Sequence, residues 1–400
     1  MPTFEMRNQA CIVGLGQSQF GRNLEFSPIL LQAEAYKAAL ADAGLTRADI
    51  DGFSTSHGAP HGADYDEFAI HTGSTFRWVQ QNWTHGRWAG SSLSAAVFAV
   101  CSGLANYVLV ANTQMESPGG YGRHYPHGTG GWNEGLRDVG GGHGQVNYHG
   151  LDTPGAANAM ATRFYMEKYG AKSEDLGWVS TSIRAWANLN PQAIFYDRKI
   201  TLDDYMEARF ISAPMRLFDY CLLNEGAQCI IVTTADRAKD LKQPPVYIAG
   251  YQGIQTSRDA SLVLARPGLG IGIQREYTFD AGTPAIYGAA QVDQSDVDGV
   301  YIYDSFAPSI WYALERFGFA KDGEAFEFCR DGRIAPGGAL PVNSNGGSLS
   351  EAGLFGYNHI AEATRQLRRN GETGDRQIPN AEVLQWMTPF GDSLILTKGN

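Results

Sequence analysis

Tyr36-Lys37-Ala38-Ala39 leading to Ala48-Asp49-Ile50-Asp51-Gly52-Phe53, and Tyr287-Gly288-Ala289-Ala290 leading to Ser295-Asp296-Val297-Asp298-Gly299-Val300, are two versions of one phrase. In each, an alanine-rich helix passes through an acidic turn into a buried strand. A second pair follows at nearly the same separation. Asn82-Trp83-Thr84-His85-Gly86 precedes a small-residue helix expected from Ser91, and Asn343-Ser344-Asn345-Gly346-Gly347 precedes one expected near Ser350. One offset of about 250 residues, with a few residues of gap, serves both pairs and predicts an internal duplication.

Working outward, residues 10–16 form a short apolar run suited to a buried strand. Ser27-Pro28 reads as an N-cap with proline in the first helical position, and Gly44 closes that helix. Strands at 50–54, 78–83 and 106–112 and a helix at 91–102 complete an α/β pattern with a mainly parallel sheet. We expect an N-terminal half over residues 1–240, carrying a loop insertion at about 116–225, and a C-terminal half over 241–400. Within the insertion, residues 116–153 are rich in glycine, histidine and aromatics. Helices at 156–169 and 173–188 and a strand at 228–234 follow. Such a segment belongs over one end of the sheet, where doubly wound folds bind ligands.

Composition removes several classes of function. With 43% hydrophobic and 18% charged residues, the 400-residue chain is neither a disordered tail nor a coiled coil. Thirty-one basic against 42 acidic residues leave a net charge of −11, which argues against nucleic acid as a partner. The five cysteines, at 11, 101, 221, 229 and 329, make no CxxC pair and read as reduced thiols. No apolar run approaches the ~18 residues of a membrane span, and no export signal precedes the first strand, so a cytoplasmic protein is expected. Gly14-x-Gly16 follows a strand, but its third glycine falls at Gly21, off the dinucleotide spacing. His124, His127 and His143 lack paired carboxylates or thiols at ligand spacing, so no metal site is expected.

Two runs carry the chemistry. In Val300-Tyr301-Ile302-Tyr303-Asp304-Ser305-Phe306, strand alternation puts Tyr301 and Tyr303 on one face, and Tyr303 and Asp304 at the carboxyl end. A core tyrosine with a capping aspartate is the plainer alternative. In the run from Leu340 to Gly353, the glycines permit close ligand approach, and a helix opening near Ser350 would aim its positive end at an oxyanion. A tight connection needing glycine for its turns is the alternative there.

Together these runs resemble the thiolase superfamily, in particular its sterol-carrier-protein-type and steroid side-chain aldolase branch. The likeness runs from Ile12-Val13-Gly14 through Asn224-Glu225-Gly226-Ala227 to Gly391-Asp392-Ser393-Leu394-Ile395-Leu396. It implies an α/β, five-layer αβαβα fold made of two βαβαβαββ halves, usually a homodimer, with CoA thioesters as ligands. It also implies a small zinc-containing OB-fold (DUF35-type) subunit as partner. The departures decide the chemistry. Gly86, flanked by His85, stands where a thiolase carries its nucleophilic cysteine, Gly353 stands where its histidine lies, and no cysteine follows Cys329. Claisen chemistry needs that thiolate. Tyr303-Asp304-Ser305-Phe306 instead matches the Tyr-Asp-x-Phe of the aldolase branch, although the second tyrosine of that branch falls on Gly353.

The resemblance therefore implies a retro-aldolase that cleaves a bulky β-hydroxyacyl-CoA, possibly a steroid side-chain thioester, into a ketone and a short acyl-CoA. The alternative is a non-catalytic acyl-CoA or lipid-binding subunit of a larger complex. Tyr303 would move the proton and Asp304 would orient it, with His85 or Tyr357 as further proton carriers. Gly86, Asn345, Gly346, Gly347 and Ser350 would hold the thioester, which enters as substrate with no covalently bound cofactor.

Overall fold

The computed structural model describes residues 6–55, 62–81, 88–115, 154–254 and 285–399. His85, Gly86 and the 116–153 loop lie outside the described residues. The first half opens with β1 (Ala10–Gln17), α1 (Pro28–Ala43), β2 (Gly52–Thr55), α2 (Tyr65–Thr72) and β3 (Trp78–Gln81). It continues with α3 (Trp88–Cys101), β4 (Tyr107–Met115), α4 (Pro154–Tyr169), α5 (Ser173–Ala187), the short hairpin β5 (Phe210–Ser212) and β6 (Met215–Arg216), and β7 (Glu225–Thr234). Then follow β8 (Val246–Gln252), α6 (Ala285–Ala290), β9 (Gly299–Ile302), α7 (Pro308–Arg316), α8 (Tyr357–Arg368), β10 (Val383–Met387) and β11 (Ser393–Thr397).

Strand order makes the duplication physical. In β2-β4-β7-β1 the first pair is parallel and the next two are antiparallel. The set β9-β10-β11-β8 repeats both the order and the senses. Beyond each outer edge lies a further parallel partner, β3 beside β2 and a bridge from Val342 to Val300 beside β9. The sets join where Cys11 and Ile12 meet Tyr247 and Val246.

Side-chain alternation on these strands builds five layers. Cys11, Val13, Leu109 and Ile231 pack against α1 and α2 on one outer face. Ile12, Val110, Ile230, Ile248, Tyr301 and Trp386 enclose α3 and α8 in the middle. Val300, Ile302 and Ile395 turn to the other outer face, under α6 and α7, and the same core takes in Tyr165 of α4 and Val179 of α5. A helix buried all round must pair its polar groups, and in α8 Arg368 meets Asp42 at 2.7 Å while Glu362 meets Arg376 at 2.8 Å.

The glycines after the first strand have a packing cause. A Cβ on Gly16 would overlap the Ala35 carbonyl, and one on Gly14 would lie 2.8 Å from that of Ala39, so α1 rests directly on β1. Gly250 on β8 repeats the contact, 2.9 Å from the Ala290 methyl.

The sheet is mixed and not mainly parallel as expected: among the described residues five neighbouring strand pairs run antiparallel and three parallel, and the short link from β10 to β11 can only fold back as an antiparallel hairpin. One helix also departs from the sequence expectation. Residues 347–351 make a single π-helical turn, and the long helix opens only at Tyr357. Phe355 at φ 52° and Gly356 at φ 88° lie in the left-handed region and break the path between them. Gly353 therefore lies outside the helix, and Tyr357 does not sit one helical turn from it on a shared face. Among the described residues no helix is long and apolar enough to cross a membrane.

Candidate active site

Strand β9 delivers the Tyr-Asp pair to the middle of the molecule. Its end is fixed from both sides, because the Tyr303 N–H donates to Met387 O at 3.0 Å while Asn343 clips Ile302. The Asn343 amide accepts from Ile302 N at 2.7 Å and donates to Ile302 O at 2.9 Å, imitating one more strand. Tyr301 and Tyr303 both face the central layer, as alternation requires. Tyr301 is fully enclosed, its hydroxyl 2.6 Å from Ser344 Oγ, and burial holds its pKa well above the ordinary value. Tyr303 keeps 7% exposure beside Phe355, ring centroids 6.5 Å apart, so it is the better placed of the two to meet a ligand.

Asp304 is fully buried. Its carboxylate accepts from Ser348 N at 2.7 Å and Leu349 N at 3.4 Å, and lies 2.9 Å from His359 Nε2. The positive end of the 347–351 turn is thus filled by the protein's own anion rather than left for an oxyanion. A Cβ on Gly347, at φ 59°, would overlap Asp304 Oδ2, which explains a glycine there. Asp304 orients this turn.

The remaining groups of the turn are engaged in the same internal manner. The Gly346 N–H donates to Asn343 O at 2.8 Å and the Gly347 N–H to Asn345 Oδ1 at 3.3 Å. The Asn345 amide donates to Glu351, and Ser350 Oγ accepts from Arg184 Nε at 2.8 Å. Asn345, Gly346, Gly347 and Ser350 lie together, and the Gly346 and Gly347 N–H groups and the Asn345 amide are engaged within the turn. Tyr357, the first residue of α8, is fully buried.

Gly353 has a direct steric explanation. Its added Cβ would lie 2.6 Å from Leu222 O and 3.3 Å from Asn224 Oδ1, and its N–H donates to Asn224 Oδ1 at 2.6 Å. The Leu222 carbonyl and the Asn224 side chain fill the space in which a tyrosine side chain would begin. Gly353→Tyr is therefore expected to restore no proton carrier and to cost about 1–3 kcal/mol by overpacking. Thermal melting and turnover of the variant check this, and a gain in turnover contradicts it.

Sequence reading passed over Glu351. Its carboxyl is buried and takes amide N–H groups from three segments: Asn190 after α5 at 2.9 Å, Asn345 in the turn, and Asn358 in α8 at 2.7 Å. Burial pushes it up to about 7, against the opposing pull of the Asn358 amide. The only sequence signal was an acidic residue inside an otherwise small and apolar run. Because its unfolded value is ~4.3, stability from the protonated form is complete below that pH and is lost as pH rises through about 7. Relative to Glu351→Gln, the native protein should lose on the order of 3 kcal/mol between pH 4.5 and 8. Urea midpoints of both proteins across that range measure it, and parallel curves contradict it.

Comparison with known proteins places this geometry. Residues 275–386 match the family described as thiolase C-terminal domain-like. The 17-hydroxy-3-oxo-4-pregnene-20-carboxyl-CoA lyase of Mycobacterium tuberculosis is 37% identical over 372 residues, covering 91% of this chain and 92% of the relative. The chain belongs to the thiolase superfamily, in its steroid side-chain aldolase branch. A steroid side-chain-cleaving aldolase of Thermomonospora curvata is 34% identical over 387 residues, 94% of each protein. The solved Ltp2-ChsH2(DUF35) aldolase matches with a TM-score of 0.82 at 31% identity, covering 98% of both chains.

For a thiolase-superfamily member the state of the thiols matters. Burial pushes Cys11 up to about 12, with Cys101 nearby adding to the shift, and it raises Cys101, Cys229 and Cys329 as well. Thiols so raised hold little thiolate near neutral pH. Cys101 is the last residue of α3, about 20 Å along the helix from Trp88. Cys221 is partly exposed, and its N–H donates to Ser305 O at 3.0 Å, beside the Tyr303–Phe306 segment. Sequence reading had given it no role. Arg184 is interior: it stacks 4.2 Å over Phe195, and burial lowers it to about 10.

Proposed function

We propose that this chain is a carbon–carbon lyase that cleaves the Cα–Cβ bond of a β-hydroxyacyl-CoA with a bulky, steroid-like side chain. The observation that carries the reading is likeness over nine-tenths of the chain to a steroid-CoA lyase, with a tyrosine immediately after β9 that keeps 7% exposure. In the reaction a base takes the β-hydroxyl proton, the new C=O forms the ketone, and the Cα–Cβ pair moves onto the thioester as its enolate. Protonation at Cα then releases the short acyl-CoA, so protons balance and nothing is oxidised. Tyr303 is assigned the proton transfer. His85 and Gly86, ahead of α3, remain proposed as a proton carrier and a thioester contact.

The test is cleavage of a steroid β-hydroxyacyl-CoA followed by ketone release, repeated after thiol alkylation and in Cys221→Ser. Turnover that survives both treatments supports the reading. Turnover lost with Cys221 would return the chemistry to sulfur, and acyl-CoA binding with no turnover would favour a non-catalytic subunit.

Partners are proposed on the same footing. The solved aldolase pairs its thiolase-like chain with a DUF35 protein, and we assign a DUF35-type, zinc-containing OB-fold subunit here. A homodimer is assigned from β3, the edge strand of the sheet among the described residues, where Val79, Phe98 and Leu104 expose apolar surface.

A further inference from the structure

His359 takes no part in the roles assigned so far, yet it is fully buried in the central layer with both ring nitrogens in contact with polar atoms. Nε2 lies 2.9 Å from Asp304 Oδ1 and Nδ1 lies 3.2 Å from Asn358 Oδ1. From the donors and acceptors around it, we infer that His359 is doubly protonated and is a positioning residue, a buried cation tying the Tyr303–Asp304 strand end to α8. The inference rests on the proposed role of Tyr303 for its functional half only.

The orientation of Asn358 decides the first proton. Its amide nitrogen donates to Ala352 O at 2.9 Å and to Glu351 Oε2 at 2.7 Å. A backbone carbonyl accepts and never donates, so turning the amide over would set oxygen against oxygen. The amide oxygen therefore faces Nδ1, and Nδ1 must carry hydrogen. Asp304 decides the second proton. Its oxygens accept backbone N–H groups from Ser348 and Leu349, which suits a carboxylate, and a carboxylate has no hydrogen to give Nε2. Nε2 must carry its own.

The charges around the ring agree with this assignment. Asp304 is the charge in direct contact, just after β9, while Glu351, which burial pushes up to about 7, stands one amide away in the π-helical turn. Glu362, one turn along α8, is engaged by Arg376 at 2.8 Å and by Arg365 at 3.8 Å, so it does not compete for the ring. The consequence is positional. Asp304 sits between the cation and the two turn N–H groups, and the backbone of Tyr303 immediately precedes it. A displacement of about 1 Å at a reacting group costs roughly 10²-fold in rate.

Neutron diffraction from the deuterated full-length protein, grown near pH 7.5, reads both ring positions and needs no variant. Deuterium on both nitrogens is expected, and a single ring deuteron overturns the inference. His359→Gln then tests the positional half: kcat should fall by roughly 10²-fold with KM within a few-fold. Unchanged kcat in a folded variant overturns that half. Should Tyr303→Phe retain activity while both ring deuterons are present, the assignment of Tyr303 fails and the charge state of His359 stands.

Discussion

Tyr303→Phe is expected to lower turnover by ~10²- to 10⁴-fold, the usual contribution of a positioned general base. The variant keeps the ring, hence the contact with Phe355 and the backbone bond to Met387, and the side chain is 7% exposed, so the fold should survive. Tyr301→Phe is the matched control, two residues back on the same face. Its hydroxyl meets Ser344 and lies away from solvent, so its loss should cost about 1 kcal/mol of stability and little rate. The informative measurement is the ratio of the two kcat values at equal substrate saturation. Equal rates for both variants remove Tyr303 from the mechanism. A collapse of both points to general damage in the central layer instead.

That contrast between neighbouring tyrosines marks where sequence reading succeeds and where it stops. Alternation of period two put Tyr301 and Tyr303 on one face, and the repeated helix-turn-strand phrase made the two halves visible, because both signals are local. Which tyrosine keeps contact with solvent was not local. It depends on Ser344 and Phe355, both distant in the chain. The glycine run shows the same division. Close backbone approach was legible, but the approaching group is the Asp304 carboxylate and not a ligand, a fact set by a residue about forty positions earlier. Gly353 looked like a lost tyrosine, whereas the Leu222 carbonyl is what fills its space. His359 and Glu351 gave no motif at all. Their meaning lies in partners drawn from separate elements.

Asp304→Ala carries the largest expected loss of stability, about 3–5 kcal/mol, because it removes one partner of a buried pair and leaves His359 facing a void. Two backbone N–H groups, at Ser348 and Leu349, lose their acceptor in the same step. Asp304→Asn should cost less, since its amide oxygen still accepts from Ser348. Gly347→Ala should approach the cost of the alanine variant from the opposite direction, by driving a methyl into Oδ2 at a positive φ. Denaturant midpoints rank the three variants. If Asp304→Ala unfolds at the native midpoint, the carboxylate is not what holds the turn. If instead Asp304→Asn is stable but slow, the charge serves the placement of Tyr303 over and above the fold, because the amide keeps the shape and loses the ionic bond to His359 together with the long acceptor contact to Leu349 N.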